Sequence, residues 1–169
     1  MGLVPQVFSR ETLARLPGRS AIGHTRYSTT GSSALSNAQP LTVEGLKGRL
    51  ALAHNGNLTN AASLRAALEA RGLLFQTSVD SEVILYLLAQ PKSSLRDALP
   101  QLEGAYALVI LTEHALMGVR DPHGFRPLCI GRRGRSWILA SETCALDLVG
   151  AHFVREVEPG EVVRMDAGG

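Results

Sequence analysis

The hydrophobic period of this chain changes once, near residue 104, and that change sets the class of fold it can adopt. Beyond it, short apolar runs recur at close spacing with turn residues between them: Ala105 to Thr112, Ala115 to Val119, Leu128 to Gly131 and Trp137 to Ala140. Two more strands, Phe153 to Val157 and Glu161 to Met165, flank Glu158-Pro159-Gly160, and a brief helix is predicted at Thr143 to Val149. Ahead of the change the period is largely helical. Asn60 to Arg71 places Leu64 and Leu68 four apart and stops before Gly72. A second helix, capped by Asp80 or Ser78 and ended by Pro91, gathers Val83, Ile84, Leu87 and Leu88 on one stripe, and a short helix follows near Ser94 to Leu99. Sheets with an apolar face need helices laid on them, so the expected class is α+β.

The first sixty residues mix both periods. Ser9 caps a helix, Glu11 to Leu16, that stops at Pro17-Gly18; Ser20 to Tyr27 carries β-favouring residues and reads as a strand, and the polar run Ser28 to Asn37 as a lid-like loop. Arg49 to His54 alternates as a strand and ends at Asn55-Gly56, which reads as a turn because both residues tolerate positive φ. A helix and not a second strand follows, so this turn is free to bring the Asn55 amide and the Gly56 N–H together as an oxyanion hole.

Length and composition narrow the function classes. With 169 residues the chain is one ordinary domain, and no internal repeat or charged linker marks a boundary. Its 45% hydrophobic and 19% charged residues argue for a soluble globular chain, and the longest apolar runs are too short to cross a bilayer. A net charge of +2 gives no basic face for nucleic acid. Two cysteines and no signal-peptide pattern at the start lead to an expected cytoplasmic location. Without a secretory signal, the sequon Asn57-Leu58-Thr59 carries no weight.

No Walker loop, dinucleotide glycine fingerprint, paired-histidine zinc motif or serine elbow is present. His24, His54, Asp121 and His123 could surround a metal, but they lack ligand-like spacing. The basic cluster Gly131 to Arg135 reads as a solvated hairpin turn, and Cys129 and Cys144 as buried small hydrophobes, although Cys144 stands near a helix start that could lower a thiol pKa. Three polar segments at element ends carry more: Gly23 to Gly31, His54 to Leu58, and Asp80-Ser81-Glu82. An arginine fork for a carboxylate, hydroxyls behind it and an aspartate for an ammonium would together grip a zwitterionic amino acid, though Arg26 and Asp80 have plain alternatives as an ion pair and a helix cap.

At these residues the chain resembles the class II, N-terminal nucleophile, glutamine amidotransferases, and within them the branch serving de novo purine synthesis. Gly23-His24-Thr25-Arg26-Tyr27-Ser28-Thr29-Thr30-Gly31, Ala53-His54-Asn55-Gly56-Asn57-Leu58, Asp80-Ser81-Glu82, Arg120 to Leu128 and Ala140 to Asp147 stand in that family's order over essentially the whole chain. The resemblance implies a four-layer αββα sandwich. It implies that Arg26, helped by Thr29, holds glutamine's carboxylate, Asp80 its amine, and Asn55 and Gly56 the oxyanion, with Tyr27 lining the pocket.

The resemblance also implies an N-terminal cysteine nucleophile ahead of the segment that begins at Met1, and after Gly169 a phosphoribosyltransferase domain where ammonia meets phosphoribosyl pyrophosphate. Residues 1–169 are therefore expected to be a partial amidotransferase domain from the middle of a longer, homo-oligomeric protein. No cofactor is expected here; magnesium and an iron–sulfur cluster would belong to the C-terminal part. Alone, the chain is expected to be inactive as a glutaminase and prone to associate. The alternative is a non-catalytic glutamine-binding module or a structural fragment.

Overall fold

The computed structural model describes residues 4–25, 35–45 and 48–166. Two short helices, α1 (Val4–Val7) and α2 (Arg10–Ala14), open the chain, and Ser9 caps α2 by accepting the Thr12 N–H, as its sequence predicts. After a 3-10 turn at Leu35–Asn37 come strands β1 (Leu41–Gly45) and β2 (Gly48–Leu58), then helices α3 (Ala61–Glu69), α4 (Ser81–Ala89) and α5 (Leu95–Ala98). A second 3-10 turn, Leu99–Gln101, leads into β3 (Gly104–Thr112) and β4 (Ala115–Arg120). The rest is β5 (Cys129–Arg133), β6 (Ser136–Ala140), α6 (Thr143–Leu148), β7 (His152–Glu156) and β8 (Val162–Asp166).

These strands make two antiparallel sheets. One has five strands in the order β1-β2-β3-β4-β8, the other three in the order β6-β5-β7. Alternation gives each sheet an apolar face on either side. Ala107 and Val109 of β3 and Val163 and Met165 of β8 meet Ile130, Trp137 and Leu139 of the smaller sheet to form the core between sheets. On the other face of the larger sheet, Leu52, Leu58, Leu108 and Ile110 pack under Val83, Ile84, Leu87 and Leu88 of α4, with Leu68 of α3 beside them. Leu146 of α6 covers the outer face of the smaller sheet against Cys129. The layers run helix, sheet, sheet, helix: the αββα sandwich.

Three expectations change. Residues 20–25 form no strand, and the remainder of that expected strand lies outside the described residues; β-favouring side chains make a strand only where a neighbour completes the ladder. β1 was not expected, because five residues of mixed polarity show too short an alternation to stand out, yet it pairs with β2 from Leu41↔Leu52 to Gly45↔Gly48. Asn55-Gly56 is no turn: β2 runs straight through it, paired to β3 from Leu50↔Thr112 to Leu58↔Gly104. Gly131 to Arg135 is the solvated hairpin its sequence suggests, with Arg132 stacked over the Trp137 ring at 4.9 Å.

Where β4 ends, Asp121 takes over. Its backbone N–H donates to the Tyr106 carbonyl, continuing the ladder, while its wholly buried carboxylate turns back on its own loop. Oδ1 accepts the N–H groups of His123 and Phe125, and Oδ2 those of Tyr106 and Arg126. Burial raises this carboxyl's pKa, but the four backbone donors outweigh it and hold it below the ordinary value. A depressed folded-state pKa adds stability that is present above the unfolded carboxylate value and is lost as pH falls through the folded one. Asp121→Asn would set an NH2 group against the two donors at Oδ2. It should cost about 2–4 kcal/mol in urea unfolding at pH 7, with a smaller loss of stability than the parent shows between pH 5 and about 2.

Candidate functional site

The site is built on the end of β2 that outruns β1. Thr59 N–H donates to the Glu103 carbonyl, so the alternation of the antiparallel ladder turns odd-numbered N–H groups of β2 toward β3 and even-numbered ones toward β1. β1 reaches only as far as Leu52, leaving the N–H groups of His54, Gly56 and Leu58 beyond it. His54 N–H goes to Gln39 Oε1 at 2.7 Å, and Leu58 N–H to Asp80 Oδ2 at 2.8 Å. Gly56 N–H lies between them on the same edge, and no side chain among the described residues accepts it.

Gly56 can stand there only as glycine. Its φ of 145° disfavours any other residue, and a Cβ would overlap the Ala105 carbonyl oxygen and come within 2.9 Å of Tyr106 Cα. Asn55 is half-buried, and among the described residues nothing hydrogen-bonds its side-chain amide. An amide and a backbone N–H with donors to spare thus sit side by side on one strand.

Asp80 stands at the N-cap position of α4 without capping it by its side chain. The carboxylate turns instead to β2, where Oδ2 takes Leu58 N–H and Oδ1 lies 3.6 Å from His54 Nδ1. Burial pushes its pKa up; the His54 ring that faces it, with the Leu58 and Ser81 N–H groups, more than reverses this and keeps it below the usual carboxylate range. An anion with spare lone pairs at this place suits an ammonium.

The start of α4 is held from two sides. Buried Asn37 bonds Ser78 through its amide nitrogen to Oγ and its oxygen to the backbone N–H. Buried Glu82 accepts the N–H groups of Gln76 and Thr77 and the Thr77 hydroxyl, while Arg65 lies over the Phe75 ring and donates to the Thr77 carbonyl. Gln39 spans the gap, donating from Nε2 to Ser81 Oγ while its oxygen takes His54 N–H.

The structure thus brings Asn55, Gly56 and Asp80 to one edge; Arg26, Tyr27 and Thr29 lie outside the described residues. Sequence reasoning missed Gln39, which carries no local signal. His54 enters the sequence reading as a possible metal group and as a member of the polar segment His54 to Leu58 but with no role of its own, although alternation with Leu52 already puts it on the core side of β2. Cys144 corrects another expectation. It is exposed, and its thiol pKa is raised by the Glu142 carboxylate it bonds to, because α6 is too short for its dipole to oppose that charge. Among the described residues no three His, Cys, Asp or Glu side chains gather as a metal site.

Residues 24–148 match the family described as "Glutamine amidotransferase domain". The chain belongs to that family. As a glutamine amidotransferase domain it is 52% identical to amidophosphoribosyltransferase 2, chloroplastic, of Arabidopsis thaliana, over all of this chain and 31% of that protein. It is 46% identical to the amidophosphoribosyltransferase of Bacillus subtilis, over 96% of this chain and 35% of that one. The solved glutamine phosphoribosylpyrophosphate amidotransferase of B. subtilis, complexed with ADP and GMP, superposes with a TM-score of 0.79 at 45% identity, covering 86% of this chain and 32% of the other. The chain spans about a third of the length of the curated relatives it matches.

Gly56→Ala tests the strand placement of the amidotransferase site. In a turn at positive φ the added methyl group would cost about 1 kcal/mol, whereas in the strand it should cost more than about 3 kcal/mol of stability, read as a large drop in melting temperature by circular dichroism.

Proposed function

We propose that this chain is the glutamine-hydrolysing part of an amidophosphoribosyltransferase, freeing ammonia from glutamine so that the longer protein can make phosphoribosylamine from phosphoribosyl pyrophosphate in de novo purine synthesis. The observation that carries this reading is the open edge of β2, where Gly56 N–H and the Asn55 amide stand beside the ionised Asp80 carboxylate. The names of the relatives support the larger reaction.

In this reading a cysteine thiolate adds to the carboxamide carbon of glutamine, and the charge that gathers on oxygen meets the Gly56 and Asn55 donors. The proton that the thiol gave to the cysteine's own α-amino group passes to the departing nitrogen, which leaves as ammonia, and water cleaves the glutamyl thioester to glutamate and free thiol. Arg26 with Thr29 holds the α-carboxylate, Asp80 the α-ammonium, and Tyr27 lines the pocket. Neither thiol of this chain is built to be the nucleophile. Cys129 is buried, its pKa raised by burial, and donates to the Ala140 carbonyl; Cys144 is held protonated by Glu142. In this reading the nucleophile is the N-terminal cysteine that the family resemblance implies, and residues 1–169 alone bind glutamine without turning it over.

Both cysteines are free thiols, which agrees with a reducing compartment such as the cytoplasm; the plant relatives are named chloroplastic. Among the described residues no helix is long and apolar enough to cross a membrane. Self-association fits β7, an edge strand that exposes Phe153 and Val154.

Calorimetric titration of the 169-residue chain should show glutamine binding that weakens at least about tenfold in Asp80→Ala and in Arg26→Ala, the loss expected for one charge-assisted contact. No glutamate should form. A parent without affinity for glutamine overturns the reading, and glutamate release abolished by thiol alkylation overturns its assignment of the nucleophile.

A further inference from the structure

We propose that His54 is a positioning residue for amino-acid binding: through Nδ1 it fixes the Asp80 carboxylate in the orientation that receives the ligand's ammonium. This deepens the glutamine reading above and rests on it.

His54 is buried on the core-facing side of β2, in line with Leu52 and Leu58 and beneath α4. Its Nδ1 lies 3.1 Å from Ser81 Oγ and 3.6 Å from Asp80 Oδ1, while Nε2 is buried and without a partner among the described residues. An unpaired buried ring nitrogen is a cost that an apolar side chain of similar volume would avoid, so space-filling does not account for the histidine. A bare Nδ1 lone pair would repel the Asp80 anion. We therefore assign the proton to Nδ1, where it attracts both Ser81 Oγ and Asp80 Oδ1 and leaves Nε2 as an unfilled acceptor.

The carboxylate then accepts Leu58 N–H at Oδ2, while its Oδ1 faces the imidazole N–H at 3.6 Å, an electrostatic contact longer than a hydrogen bond. A carboxylate free to rotate about its χ2 bond would follow the nearest backbone donor. One bonded at Oδ2 and attracted by the ring dipole at Oδ1 keeps its remaining lone pairs aimed in one direction, which lowers the reorganisation cost of an ammonium ligand. Ser81 is fixed in turn by Gln39, whose oxygen takes His54 N–H, so ring, hydroxyl and amide form a closed loop of hydrogen bonds that fixes the ring facing the carboxylate.

The test compares two ligands, L-glutamine and 4-carbamoylbutanoate, the same molecule without its α-amine, titrated calorimetrically into the full 169-residue chain. The ratio of their affinities isolates what Asp80 does. In His54→Gln, whose amide stands at the level of Nε2 and cannot reach Asp80, the preference for glutamine should fall about tenfold, with 4-carbamoylbutanoate affinity unchanged within about twofold. In His54→Asn, whose amide nitrogen occupies the place of Nδ1, most of that preference should return. His54→Leu should lose the preference while keeping the parent's melting temperature, since it removes the unpaired nitrogen. If His54→Gln and His54→Asn both retain the parent's ratio, or both lose it equally, the inference is overturned and the glutamine reading stands. A parent that binds neither ligand overturns both.

Discussion

The central strand pair of this protein is longer than either of its neighbours, and much of the site's architecture follows from that mismatch. β2 and β3 run together to Leu58↔Gly104, but β1 stops opposite Leu52 and β4 stops opposite Ala107. Past those points backbone groups of the pair face no strand. A buried N–H left unpaired costs about 1–3 kcal/mol, so side chains have to come to them. Gln39 and Asp80 do so along β2, and Asp121 along β3. Gly56 N–H, between the first two, meets no side-chain acceptor among the described residues.

The same carboxylate therefore has two tasks. Asp80 closes the β2 edge at Leu58 and, being ionised and held, presents negative charge beside the spare donors of Asn55 and Gly56. That coupling explains why the surrounding polar groups are so heavily tied down. Asn37, Gln39, Ser81 and Glu82 each bond more than one group near the start of α4. Their effect is to fix where α4 begins, and with it the position of the Asp80 carboxylate relative to β2.

The elements with a regular apolar repeat were the most legible part of the sequence. The stripe Val83, Ile84, Leu87 and Leu88 faces the core as its spacing predicts, and the close-spaced strands after Gly104 fall within a residue or two of their expected ends. Such elements announce themselves because each buries one side of a regular repeat. The site was legible in its residues but not in its geometry. Asn55 and Gly56 were recognisable as donors for an oxyanion, yet the dipeptide most typical of a hairpin turn lies in mid-strand, because nine paired positions with β3 outweigh a local preference worth about 1 kcal/mol. Gln39 and Ser81 were invisible in this role: their partners are 15 and 27 residues away in sequence.

The sequence by itself determined which chemical groups are present and which stretches alternate or spiral, since side-chain chemistry and hydrophobic period are local properties. Those were enough for the α+β class and for the family. Tertiary structure alone decided the register of β2 against β1 and β3, and therefore which N–H groups are consumed by ladders and which remain free. The reason is that a backbone hydrogen bond in a sheet belongs to two strands at once: its availability depends on where the neighbour ends, and no property of the strand's own residues records that.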